Sequence, residues 1–278
     1  MLGLFMLNLY QKLMLYVKEN EMKARVSQNV NKIVSTVSTW SGVKAVVLQH
    51  FAERDIYDPN FSVSLDVYQD GDIPNRDERS GLFPDAQFFE SSHLTQKDRF
   101  ILQDMPIRIS YKSCHKIDEI IQALDSEKWL SMESGTYMFY RIATGVIEWA
   151  RDDWMEKVVH KLDQLPNSFW KLIIDACQRR IEHYLGDLGA SSMKDDALYF
   201  NLSLSGYLQS VVKLLFAVNH TFESGPRDYT AALPLLEIMP DGFEANWTSL
   251  LRENDSLPPE RKREIAELLT KSLFSLIS

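Results

Sequence analysis

Asp66 is the first residue here that invites a chemical reading, in the run Phe61 to Pro74, FSVSLDVYQDGDIP. At the two-residue period of a strand, Phe61, Val63, Leu65 and Val67 share one face and Ser62, Ser64, Asp66 and Tyr68 the other. Hard divalent cations take oxygen ligands, and two carboxylates two residues apart on a strand point the same way and can share such ions. Two residues before Asp66 stands Ser64, whose uncharged hydroxyl is a poor substitute for a second acid. Asp66 therefore has three readings: a metal ligand, what is left of a metal site, or a carboxylate on a wet sheet face.

The elements that must hold it follow from periodicity. Met22, Val26, Val30, Ile33, Val34, Val37 and Trp40 recur at helical spacing until Ser41-Gly42 ends the run. Short strands are expected at Val43 to Leu48, Phe61 to Tyr68, Ala86 to Glu90 and Ile107 to Lys112, with a solvated loop from Asp70 to Arg79 and a helix near Lys116 to Leu124. Beyond Asp125 helical periodicity takes over: Tyr137 to Trp149, Asp153 to Leu165, Ser168 to Leu185, Ala197 to Phe222, Tyr229 to Glu237, Phe243 to Arg252 and Pro259 to Leu276. Pro166, Gly189, Pro226, Pro240 and Pro258-Pro259 punctuate them. The expected fold class is α+β. A small mixed β-sheet domain with flanking helices spans residues 1–125, with 1–20 as a helical extension, and an all-α bundle follows over 126–278.

Composition narrows the function classes. At 278 residues, 45% hydrophobic and 25% charged, the chain can bury two modest cores. A net charge of -9 and a pI of about 5.2 argue against constitutive nucleic-acid binding, which needs a basic face for phosphates. Cys114 and Cys177 lie far apart with no metal-ligand spacing, which fits a reducing, cytoplasmic setting without disulfides or zinc. The opening MLGLFMLNLYQKLMLYV lacks a basic leader and a cleavage site, and Asn8, Gln11 and Lys12 interrupt it. It reads as an amphipathic helix, not a membrane segment, and Met22 is a second candidate start. Phosphate-binding glycine loops and His-Glu-x-x-His are absent, and SLSG, Ser203 to Gly206, falls inside a helical stretch.

The run VVLQHFAERDIYDPNFSVSLDVY, Val46 to Tyr68, resembles the nucleotidyltransferase superfamily signature, a strand ending in Gly-Ser, a loop, and a strand carrying Asp-x-Asp. Ala52 falls at the small residue after Gly-Ser, Asp58-Pro59 precede the metal strand, and Asp66 matches the second acid. VVKLLFAVNHTF, Val211 to Phe222, is similar to a helix of uncharacterised and antibiotic-modifying members. The resemblance implies a polymerase-beta-like nucleotidyltransferase domain before a helical domain, magnesium and a nucleoside triphosphate as cofactors, and metal binding and catalysis centred on Asp66 with Ser64. It also has departures. Gln49-His50 replace Gly-Ser, Ser64 replaces the first acid, and Arg108, in MPIRISYK, stands where a third is expected. An arginine there would pair with Asp66 in place of a cation.

Nucleotide-binding candidates are Gln49, His50, Arg99, Arg108 and Lys112, with Glu90 as a spare acid. Each has a plainer reading: His50 as a loop residue, Arg108 and Lys112 as balance for Asp66 and Glu90, and Arg99 in a salt bridge with Asp98. If the domains pack as in that family, Glu133, Tyr137, Tyr140 and Arg141 would face the sheet, as a cleft wall or as a domain contact. Trp129, Trp149 and Trp154 are read as packing residues. The expected function is a nucleotidyltransferase-like protein with a degenerate metal site and a retained nucleotide- or anion-binding cleft. Two alternatives stand beside it: an active metal-dependent transferase acting on a small-molecule or protein hydroxyl, and a protein-interaction scaffold. The expected partner is a nucleotide or small molecule, with no constitutive nucleic acid and no membrane.

Overall fold

Val26, Val30, Ile33 and Val37, three and four residues apart, form one buried stripe on a helix running over residues 23–37 (α1). The computed structural model describes residues 23–49, 61–92, 96–124, 136–252 and 257–277. The expected helical extension over 1–20, the loop carrying Ala52 and Asp58-Pro59, and the residues His50, Trp129 and Glu133 lie outside them.

Six strands follow in one mixed sheet: β1 (Val43–Leu48), β2 (Val63–Gln69), β3 (Gln87–Ser92), β4 (Lys97–Leu102), β5 (Met105–Ser113) and β6 (Val146–Ala150). Their order is β3-β4-β5-β2-β1-β6. β2 and β5 are parallel and the other neighbours antiparallel. The stripe of α1 packs on the face formed by Val46, Val63, Leu65, Val67, Phe100, Leu102, Ile107 and Ile109. Burying this apolar face on both layers is the main stabilising term of the unit.

Two strands differ from expectation. β4 was hidden because Lys97, Asp98 and Arg99 look like a loop, although Phe100 and Leu102 alternate inward with Asp98. Its hairpin to β5 turns on Gln103 and Asp104, both at positive φ (49° and 60°). That is the backbone of a two-residue primed turn, made without the usual Asn-Gly signal. The helix expected over Tyr137 to Trp149 stops at Thr144 (α4, Tyr137–Thr144), and Gly145 separates it from β6. The loop expected over Asp70 to Arg79 ends in a short helix, α2 (Arg76–Gly81), started by a capping box between Asn75 and Glu78.

The chain divides into two units: Met1–Ile121 with Arg141–Asp163, and Gln122–Tyr140 with Gln164–Ser278. The first is the sheet unit. Besides α1 and α2 it holds most of α3 (Cys114–Gln122) and α5 (Trp154–Asp163), whose Met155, Val158 and Leu162 are buried. In the helical unit α6 (Asn167–Met193) runs through Gly189 without a break, turns at Asp195 (φ 52°), and Asp196 caps α7 (Ala197–Val218) by accepting from the Tyr199 N–H at 3.0 Å. A short helix, α8 (Tyr229–Ala232), passes into a 3-10 turn at Leu233–Leu235, where Pro234 cannot continue the helix. α9 (Phe243–Leu251) and α10 (Pro259–Ser275) complete the unit. The buried Tyr207 hydroxyl ties α7 to α10 by donating to the Ala266 carbonyl at 2.8 Å.

Candidate functional site

β2 builds the site through its alternation. Val63, Leu65 and Val67 enter the main core, while Ser64, Asp66 and Tyr68 point to the opposite face. Asp66 is 0% exposed. A carboxylate withdrawn from water needs a counter-charge and hydrogen bonds, because its desolvation is otherwise uncompensated.

Arg141, on α4, supplies both. Its Nε donates to Oδ2 and its Nη2 to Oδ1 of Asp66, each at 2.8 Å, the two-pronged geometry of a strong guanidinium-carboxylate pair. The same Nη2 lies 3.4 Å from Ser64 Oγ. Gln49, after the end of β1, donates from Nε2 to Asp66 Oδ2 at 3.1 Å and to the Arg141 carbonyl at 3.3 Å. Its backbone N–H is tied to the Ser64 carbonyl at 2.9 Å. Both oxygens of Asp66 are thus in use.

The expected pairing of Asp66 with Arg108 is therefore corrected. Register sets Arg108 opposite Ser64 and Asp66 opposite Ser110, and the cation that reaches the carboxylate comes from α4. The resemblance sets Arg141 facing the sheet, but nothing in its local sequence marks it as the partner. The only general signal is that a buried acid must find a cation. Gly145 allows the approach: a Cβ there would run into the Val47 side chain and lie 2.9 Å from the Arg141 carbonyl and 3.1 Å from Gln49 Nε2.

On the same face, register continues the pattern outward. Arg108 lies opposite Arg99, Ser110 opposite Lys97, and Tyr68 opposite Lys112. The Lys97 ammonium is held below its usual 10.5, first by burial and then by the positive charges of Lys112, Arg108, Arg99 and Arg141. Four cations are thus within electrostatic reach of Lys97. Among the described residues, no acid forms an ion pair with Lys97, Arg99 or Lys112. Glu90 lies opposite Arg99 across the β3-β4 ladder. At the other end of β2, the Tyr68 ring packs on Trp154 at 5.7 Å, and the Trp154 indole N–H donates to both oxygens of Asp118 at 3.2 Å.

The expected Asp98–Arg99 bridge is also corrected, because consecutive strand residues face opposite ways. Asp98 points into the main core and pairs with Arg79, Nε to Oδ2 at 2.7 Å and Nη2 to Oδ1 at 2.9 Å, while the Tyr111 hydroxyl donates to Oδ2 at 2.7 Å. Arg79 gives two more of its hydrogens to the Pro74 carbonyl and Ser91 Oγ. Arg99 is left exposed on the polar face. Among the described residues no group of three or more His, Cys, Asp or Glu is placed to hold a metal ion, and no helix is long and apolar enough to cross a membrane.

No family model matches the chain, and no curated protein matches it significantly. Among solved structures it is similar to a nucleotidyltransferase-like protein from Exiguobacterium sibiricum, at 11% identity and a TM-score of 0.47, over 89% of this chain and 74% of that one. It is also similar to an aminoglycoside 6-adenyltransferase from Bacillus subtilis, at 10% identity and a TM-score of 0.35, over 94% of this chain and 90% of that one. With both scores this low, no residue role passes from those proteins to this one.

Proposed function

We propose that the sheet unit is a nucleotidyltransferase-like domain in which an arginine-carboxylate pair has taken the place of the metal site, and that its polar face binds a nucleotide or a related phosphorylated anion. The observation that carries this reading is the two-pronged hold of Arg141 on Asp66. Magnesium sits about 2.0–2.1 Å from its oxygen ligands and prefers carboxylates. Here the lone pairs it would need already accept from Arg141 and Gln49, and a guanidinium charge stands beside them. Ser64 in place of a first acid adds only a hydroxyl. These residues do not suit a divalent cation.

Anion binding is supported by Lys97, Arg99, Arg108 and Lys112 on β4 and β5. Guanidinium forks and ammonium groups are the usual phosphate partners, and a one-sided group of cations concentrates anions even on a chain of net charge -9. Thermal unfolding of the whole chain with ATP, once with magnesium and once with EDTA, tests the reading, because a ligand that binds only the folded state raises Tm. ATP is expected to raise Tm equally in both, and Arg99→Ala with Lys112→Ala to remove the rise. No rise in either condition would overturn the proposal. A rise that needs magnesium would favour the active transferase.

A further inference from the structure

The helical unit has a pocket of its own, between α6, α7 and the turn that follows α7. Trp170, Cys177 and Arg180 reach it from one stripe of α6, and Lys213 from α7. α7 stops at Val218, His220 takes a φ of 49°, and the Thr221 N–H returns to the Phe216 carbonyl at 3.0 Å. That helix-ending turn reverses the chain and carries Glu223 back beside Lys213. The Glu223 backbone N–H, donating to Thr136 Oγ1 at 3.0 Å, fixes the turn.

Glu223 is 4% exposed, and its carboxylate accepts from the Thr136 backbone N–H besides facing two side-chain donors. Lys213 Nζ stands 3.7 Å from Oε1 and the Tyr229 hydroxyl 3.4 Å from Oε2. Charge-assisted hydrogen bonds are normally about 2.7–2.9 Å, so these two side-chain donors lie beyond the usual range. Burial raises its proton affinity, against the pull of Lys213. The Cys177 thiol is pushed up to about 12, chiefly by burial, and it senses Arg180, Lys213 and Glu223 together. Three charges therefore gather around one point of the pocket. Trp170, stacked on His220 with ring centres 5.3 Å apart and planes 7° apart, adds a flat apolar wall.

We propose that this pocket binds a short zwitterion of the amino-acid class, with its ammonium taken by Glu223 and its carboxylate by Arg180 and Lys213. The placement of the charges decides the class. A simple amine would face two cations, and a simple acid would face Glu223, whereas a zwitterion answers both. The side chain of the ligand would lie along Trp170.

Isothermal titration calorimetry of the whole chain with the common L-amino acids, each at up to about 10 mM, tests this. For the tightest binder, the analogues lacking either the amino or the carboxyl group are titrated beside it. At least one amino acid is expected to bind, both trimmed analogues to bind about tenfold or more weakly, and Glu223→Gln and Arg180→Ala each to weaken binding about tenfold or more. Arg180 is exposed, so its replacement keeps the fold and decides the matter if Glu223→Gln does not fold. The proposal is overturned if no amino acid binds, if a trimmed analogue binds equally well, or if Arg180→Ala binds undiminished.

Discussion

Asp66 and Asp98 lie on opposite faces of one sheet, each withdrawn from water and each held by an arginine from outside its own strand. In both, the pair's mutual attraction mainly offsets the burial of its own charges. Removing one partner is another matter, since it leaves a bare charge inside. Asp66→Ala is expected to destabilise the sheet unit by about 3–5 kcal/mol. Arg141→Ala should cost a similar amount, and the double variant clearly less than the sum, because both singles break the same pair. Urea unfolding followed by circular dichroism measures all three. A loss under about 0.5 kcal/mol for Asp66→Ala would place its carboxylate in water after all. The alternation of FSVSLDVY was enough to put Asp66 on the face away from the apolar residues. Its partner could not be read in the same way, because Arg141 lies 75 residues further along and no local pattern encodes that contact.

Periodicity served the long elements well and the short ones poorly. α1, α6, α7 and α10 each show an apolar stripe over several turns, and β1 and β2 read cleanly as strands. β6 did not, because Val146, Ile147 and Trp149 continue a spacing that also fits the helix before them. Gly145 resolves the ambiguity in the structure by ending α4 where the chain must pass close to β1. Gly145→Ala should therefore cost about 1–3 kcal/mol, since overfilling a packed site forces its neighbours apart. It should also weaken the hold of Arg141 on Asp66, as the added carbon meets the Arg141 carbonyl and Gln49. Gly81→Ala, where an added carbon meets nothing within 4 Å, is the control, expected to shift stability by less than about 0.5 kcal/mol in the same denaturant titration.

At the scale of the whole chain, net acidity hides its opposite. The bulk charge of -9 weighs against a nucleic-acid surface, but it says nothing of a face where cations from β4, β5 and α4 converge. Only the register of the sheet brings them together, and register is set by long-range pairing. The same pairing makes the sheet unit discontinuous in sequence, with residues 122–140 assigned to the helical unit between its two parts. β6 pairs with β1, Arg151 donates to the Val43 carbonyl 108 residues away, and Arg141 reaches back to Asp66. Contacts this distant along a chain form late, because a long loop must close before they reward it. During synthesis the strands up to β5 would thus emerge first, with β1 lacking its outer neighbour and Asp66 its cation. A fragment ending at residue 125 should accordingly show no cooperative unfolding transition, while one ending at residue 163 should. If the shorter fragment unfolds as sharply as the longer, the closing segment is an ornament of the sheet. Otherwise the outermost strand is the latch that the ribosome must deliver before the domain can finish folding.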